Sequence, residues 1–146
     1  MAGILVIHGP NLDLLGSREP GIYGHIELAE INGKLTEKAQ KAKVKIKIFQ
    51  SNHEGEIVAL IGRHKKSVDV LIINPAAYTH TSVAIRDAIL ATEIPTIEVH
   101  LSNIYAREEF RRQSLIAPVA RGTISGFGEQ SYYLALDAAF EMIKKK

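Results

Sequence analysis

Two apolar runs with no polar interruption constrain this chain most. They are Ile4-Leu5-Val6-Ile7-His8, closed by Gly9-Pro10-Asn11, and Leu71-Ile72-Ile73, closed by Asn74-Pro75. Uniform apolarity, rather than alternation, marks strands buried on both faces, the pattern of a parallel sheet covered by helices. Pro75 removes a backbone donor and biases Asn74 away from helical geometry, so the chain has to turn there. Thr81 or Ser82 can then cap a helix beginning Val83-Ala84-Ile85. Asn74, Tyr78 and His80 are thereby placed in the connection above a strand's carboxyl end, where an open α/β sheet binds ligands.

The remaining elements follow the same alternation. Leu28, Ile31, Leu35 and Ala42 recur at helical spacing and predict a helix over 26–43, in which Gly33 costs about 1 kcal/mol. Val44-Lys45-Ile46-Lys47-Ile48-Phe49-Gln50 alternates apolar and basic residues, as a half-exposed strand guarding a sheet edge does. Ile57, Leu60, Ile61 and His64 give a second helix ending at Lys65-Lys66. A fourth strand runs over 95–101, a short fifth over 122–128, and a last helix starts near Gln130 with Tyr133, Leu136, Phe140 and Ile143 on one face. Residues 12–25 form a connection far longer than a strand-to-helix loop needs, which suggests a lid. Five strands alternating with helices predict an α/β, flavodoxin-like three-layer sandwich with parallel strand order 2-1-3-4-5. In that order the loops carrying Asn11 and Asn74 open into one crevice, with His100 beside them.

Composition removes several classes of function. The 146 residues, 46% hydrophobic and without a linker-like tract, fit one domain spanning 1–146. A net charge of +2 is too small to imply nucleic acid. No basic leader precedes a long apolar core and no uncharged run approaches the ~20 residues that cross a bilayer, so a soluble, unexported protein compatible with the cytosol is expected. Zero cysteines exclude disulfides and thiolate chemistry. Six histidines invite a metal, yet none forms an H-x-x-x-H pair and there is no H-E-x-x-H, so no metal is expected. Neither Walker A nor G-x-G-x-x-G follows the first strand, and the lysines lie in helices, edge strand or tail, which argues against nucleotide phosphates and Schiff bases.

Two constellations can carry acid–base chemistry. Glu98 and His100, two apart on a strand, share a face, and a carboxylate favours a protonated imidazole beside it. His100 is thus either a proton donor or a buried histidine with a structural partner. Arg18, Tyr23, Arg107 and Arg111 form the second. Tyrosine titrates near ~10, so a tyrosinate base needs nearby cations. One charge at about 4 Å and an effective dielectric of about 20 supplies roughly 4 kcal/mol, a pKa decrease of about three before desolvation takes some back. The competing reading makes these arginines solvated loop charges; Arg107 and Arg111 stand at i, i+4 if their segment is helical. Backbone amides near Ser102 and Asn103 can receive a carboxylate or simply form a turn.

Four blocks carry a wider likeness: His8-Gly9-Pro10-Asn11-Leu12-Asp13-Leu14-Leu15-Gly16 with Arg18-Glu19-Pro20 and Tyr23-Gly24; Gln50-Ser51-Asn52 with Glu54-Gly55; Asn74 through Asp87; and Glu98-Val99-His100-Leu101-Ser102-Asn103 with Arg107-Glu108-Glu109-Phe110-Arg111. Together, nearly over the whole chain, they resemble the type II 3-dehydroquinate dehydratases. The resemblance implies a cytoplasmic flavodoxin-like enzyme of the shikimate pathway, assembled as a dodecamer of trimers. It would dehydrate 3-dehydroquinate to 3-dehydroshikimate without metal or organic cofactor. Tyr23 would remove the C2 proton, with Arg18 and Arg107 lowering its pKa and a water near Asn11 stabilising the enolate. His100, supported by Glu98 and Asn74, would protonate the departing C1 hydroxyl. Amides around Leu101 and Ser102 would meet the substrate carboxylate, His80 and Arg111 would hold ring hydroxyls, and Asp87 would reach a neighbouring subunit's site. The family commonly has Asn where His8 and Asp13 stand, and often Gly where Ala76 stands; Asp13 adds negative charge near the lid. The rivals, a flavin carrier or a receiver-type module, call for a Ser/Thr-rich phosphate loop or an acidic pocket after the first strand, where this chain has Gly-Pro-Asn-Leu-Asp-Leu-Leu-Gly.

Overall fold

The computed structural model describes residues 1–17, 19–23 and 25–146, with the backbone alone for Pro20 and Tyr23. Five parallel strands form one sheet: β1 (Gly3–His8), β2 (Lys45–Gln50), β3 (Val70–Asn74), β4 (Thr96–His100) and β5 (Gly122–Ser125). Their order is β2-β1-β3-β4-β5, as the alternation of elements predicts, with β2 at an edge and Lys45 and Lys47 exposed on it. The helices are α1 (Pro20–Tyr23), α2 (Leu28–Lys41), α3 (Glu54–Arg63), α4 (Val83–Thr92) and α5 (Gln130–Lys144).

Period-2 geometry sends alternate residues of the central strands to opposite faces. Ile4, Val6, Val70, Ile72, Ile97 and Val99 pack under Ile31 and Leu35 of α2 and Tyr132, Leu136 and Ala139 of α5. Leu5, Ile7, Leu71 and Ile73 pack under Ile57, Leu60 and Ile61 of α3 and Ile85 and Ile89 of α4. Each such fully buried aliphatic side chain contributes about 1.5–3 kcal/mol, so the all-apolar runs of β1 and β3 are what the two helical layers close upon. Among the described residues no helix is long and apolar enough to cross a membrane.

Several boundaries differ from the sequence expectation for local reasons. The helix predicted over 26–43 begins at Leu28, because Glu27 is extended, and it closes with Lys43 in the left-handed region at φ 58°. The fifth strand stops at Ser125, since Gly126 turns at φ 98°. On α5 the buried residues are Ser131, Tyr132, Tyr133, Ala135, Leu136 and Ala139, while Phe140 and Ile143 are half-buried. Ser82 is the cap of α4, its hydroxyl accepting from the Ile85 N–H at 2.9 Å.

The exits of β1 and β3 are pressed together. Register pairs His8 with Asn74, and the Gly9 N–H donates to the Asn74 carbonyl at 2.7 Å. A Cβ on Gly9 would stand 2.6 Å from the Pro75 carbonyl oxygen, which is backbone and cannot swing aside. Gly9→Ala is therefore expected to destabilise the fold by about 2–3 kcal/mol. Urea unfolding measures it, and a change below a few tenths would contradict the close approach.

Candidate active site

The carboxyl ends of β1, β3 and β4 surround a cleft at the switch point of the sheet. Asn11 enters it from the β1 exit, Asn74, Ala76 and His80 from the β3 exit, and His100, Leu101 and Ser102 from the β4 exit. Arg107 and Arg111 line it as well. Asn11 is held in the left-handed region at φ 68°, which asparagine tolerates, and its N–H donates to Asn52 Oδ1 at 2.9 Å. Gln50 Nε2 donates to the Gly9 carbonyl and to Asn52 Oδ1, both at 3.1 Å, so the Gln50-Ser51-Asn52 block braces the β1 exit. Ala76 stands at φ 52°, a region that favours glycine. This gives the position where the resembled family often has Gly its physical reason.

On the α3/α4 face of the sheet, Glu98 and His100 are both buried. A carboxylate can only accept, so His100 donates from Nε2 to Glu98 Oε2, at 2.5 Å. The Thr79 hydroxyl donates to the same oxygen at 2.9 Å and lies 3.3 Å from Nε2. Ser114 Oγ donates to Glu98 at 2.8 Å and 3.0 Å, and accepts from the N–H groups of Ile116 and Ala117. Burial pushes the Glu98 carboxyl up, but the His100 hydrogen bond and charge, with Ser114 and Thr79, outweigh it and hold Glu98 below the usual carboxylate value. Glu98 is thus a buried anion with every partner aimed at it. With Nε2 committed to Glu98, Nδ1 is the His100 nitrogen that can serve the cleft. Asn74 does not join this group; Thr79 and Ser114 do.

On the α2/α5 face a second network lies under the same cleft. Asn74 Oδ1 accepts from the Ala76 N–H at 3.0 Å, and Asn74 Nδ2 donates to Tyr132 Oη at 2.9 Å. Tyr132 Oη lies 2.9 Å from His8 Nδ1, and His8 Nε2 lies 2.8 Å from Asn32 Oδ1. His8 and Tyr132 have no exposed surface. Burial drives the Tyr132 hydroxyl up and lowers His8 to about 4, against a smaller upward pull from Asn32. The network is therefore neutral throughout.

The other expected residues divide clearly. His80 donates from Nδ1 to the Gln113 carbonyl at 2.7 Å, leaving Nε2 toward the cleft it lines. Residues 104–111 are not one helix but two 3-10 turns, Ile104–Ala106 and Glu109–Arg111, so the i, i+4 relation of Arg107 and Arg111 does not operate. Both still reach the cleft, and Glu108 holds Arg111 Nε at 2.6 Å with Arg107 Nε at 3.9 Å. Asn103 turns away and caps the Tyr105 N–H at 3.1 Å. Asp87 is exposed on α4, outside this chain's cleft. Arg18 and the side chain of Tyr23 lie outside the described residues. Among the described residues no three His, Asp or Glu side chains converge as a metal site would require. Ser114, Tyr132 and Asn32 lie outside every block read from the sequence, because each is recruited from an element remote in the chain, while Thr79 sits inside the Asn74–Asp87 block without being singled out.

Comparison with known proteins follows the same geometry. The family model described as dehydroquinase class II matches residues 2–140. A 3-dehydroquinate dehydratase of Trichodesmium erythraeum is 60% identical over 143 residues, covering 98% of this chain and 95% of its own. One of Cellvibrio japonicus is 58% identical, covering 98% and 97%. The crystal structure of a type II dehydroquinase from Butyrivibrio crossotus superposes with a TM-score of 0.92 at 43% identity, covering 94% of this chain and 96% of that one.

His8 makes stability depend on pH in a defined window. Below about 6.5 the unfolded chain's histidine takes up a proton that folded His8 refuses until about pH 4. Its contribution is full above 6.5 and is lost as pH falls toward 4, about 3 kcal/mol in all. Urea unfolding from pH 4 to 8 is expected to show wild type losing that much more than His8→Phe does. Parallel pH curves for the two proteins would contradict it.

Proposed function

Because the chain belongs to the class II dehydroquinase family, we propose that it dehydrates 3-dehydroquinate to 3-dehydroshikimate in the shikimate pathway. One observation carries this beyond kinship: a buried His100–Glu98 pair faces a cleft whose rim holds Arg107 and Arg111, as acid-assisted elimination from a small anionic ring requires. The ketone of such a substrate acidifies the adjacent C2 proton, and its loss yields an enolate. Hydroxide is a poor leaving group at neutral pH, so the C1 hydroxyl needs a proton as it departs.

In the proposed mechanism Tyr23, as a tyrosinate, removes the C2 proton, and Arg18 and Arg107 hold its charge. A water near Asn11 donates to the enolate oxygen, where charge develops. His100 delivers a proton from Nδ1 to the C1 hydroxyl, and Glu98 keeps Nε2–H fixed, which orients the ring. Asn74 donates to a substrate oxygen. Amides at Leu101 and Ser102 receive the carboxylate, while His80 and Arg111 hold ring hydroxyls. Neither a metal nor an organic cofactor enters these steps. Asp87 completes a neighbouring subunit's site within a dodecamer of trimers, in the cytoplasm.

The product is a conjugated enone acid, so its absorbance reports turnover directly. Wild type is expected to generate that signal from 3-dehydroquinate, and no signal would overturn the function. Tyr23→Phe keeps the ring but cannot accept the proton, so kcat is expected to fall by about 10²–10⁴ with KM little changed. Near-normal turnover in that variant would sink the tyrosinate assignment while leaving the overall reaction intact.

A further inference from the structure

We propose that Tyr132 is a positioning residue that fixes the Asn74 amide in the cleft, and that His8 sets the direction of the Tyr132 hydroxyl. The hydrogen-bond chain has a single consistent polarity. A backbone N–H can only donate, so the oxygen of the Asn74 amide is the atom facing Ala76. Its nitrogen therefore faces Tyr132 and donates to Oη. Having accepted that bond, the phenol has one hydrogen to place, and His8 Nδ1 lies 2.9 Å away to take it. The His8 ring proton is then on Nε2, directed at Asn32 Oδ1. Reversing any link would set two hydrogens, or two lone pairs, against each other.

The consequence is reached at the cleft end. Asn74 Nδ2 carries two hydrogens; Tyr132 takes one, and the other is the donor that a molecule in the cleft can meet. A free asparagine amide can rotate and present either oxygen or nitrogen. This one is clamped at both ends, so it presents N–H only and recognises a substrate oxygen bearing a lone pair. A filling role for Tyr132 is separable from this one, because its ring belongs to the buried apolar cluster of this face and phenylalanine would keep that packing. The hydroxyl acts through Asn74, and His8 acts through the hydroxyl.

The inference rests on the proposed function, in which Asn74 touches substrate, and a double-mutant cycle in kcat/KM for 3-dehydroquinate tests it separately. Tyr132→Phe is expected to lower kcat/KM by roughly 10- to 100-fold, the scale of a misplaced contact. Added to Asn74→Ala, it is expected to change kcat/KM by less than about threefold, because both act on the same donor. His8→Phe is expected to act in the same direction with a smaller factor. Ile4→Val, a change in the same core cluster, is expected to lower thermal stability and leave kcat/KM within about twofold of wild type. Wild-type kcat/KM in Tyr132→Phe, or losses that multiply in the double variant, overturns the inference alone. Full activity in Asn74→Ala overturns the role given to Asn74 and the inference with it. Should Tyr132→Phe not fold, the cycle of His8→Phe with Asn74→Ala decides by the same criterion.

Discussion

A polar group taken out of water has to be hydrogen-bonded, and that constraint shapes everything beneath this cleft. The carboxyl edge of a sheet buried on both faces is the one place where apolar strands must hand over to polar chemistry. Here the handover is made twice, once on each face. Under α3 and α4 the requirement is met by an anion, Glu98, surrounded by His100, Thr79 and Ser114. Under α2 and α5 it is met by neutral groups running from Asn32 through His8 and Tyr132 to Asn74. No buried side-chain nitrogen or oxygen among the described residues is left without a partner.

The two networks give the cleft two different electrostatic characters a few residues apart. His100 is backed by a buried carboxylate that holds its Nε2–H and fixes the ring against the cleft. Asn74 is backed by a phenol and an imidazole that both stay neutral, so it offers a dipole with fixed direction. The proposed elimination draws on both a charge-changing group and a group that does not change. Sheet register brings them together. Asn74 pairs with His8 and Glu98 with Ile73, so even and odd positions of adjacent strands deliver side chains to opposite faces of one edge.

What was legible in the sequence follows from how local each signal is. The strands were legible because burial on both faces writes itself as consecutive apolar residues, and the α4 cap was narrowed to Thr81 or Ser82 because a cap is a one-turn affair. Glu98 and His100 were legible as a pair because the strand period is two. Ser114 was not, because its hydroxyl reaches Glu98 from a loop sixteen residues away with no periodicity to mark it. Tyr132 was hidden for another reason: the helical face read as Tyr133, Leu136, Phe140 and Ile143 leaves it out, and only the β1–β3 register reveals that two polar side chains await its hydroxyl. His8 read as the end of a strand, and its depth is set by α2 and α5 rather than by its neighbours in the chain. Over 104–111 the condition for an i, i+4 pair of arginines is not met, because Asn103 caps its own short turn.

In the proposed mechanism proton removal and proton delivery are performed by different groups on different elements, with His100 responsible only for delivery. Deuterium washout from 3-dehydroquinate labelled at C2 tests this most directly in a His100→Asn variant. Label is expected to continue exchanging with solvent while formation of the enone product falls by about 10²-fold or more. Product formation at the wild-type rate, or loss of washout together with loss of product, would contradict it.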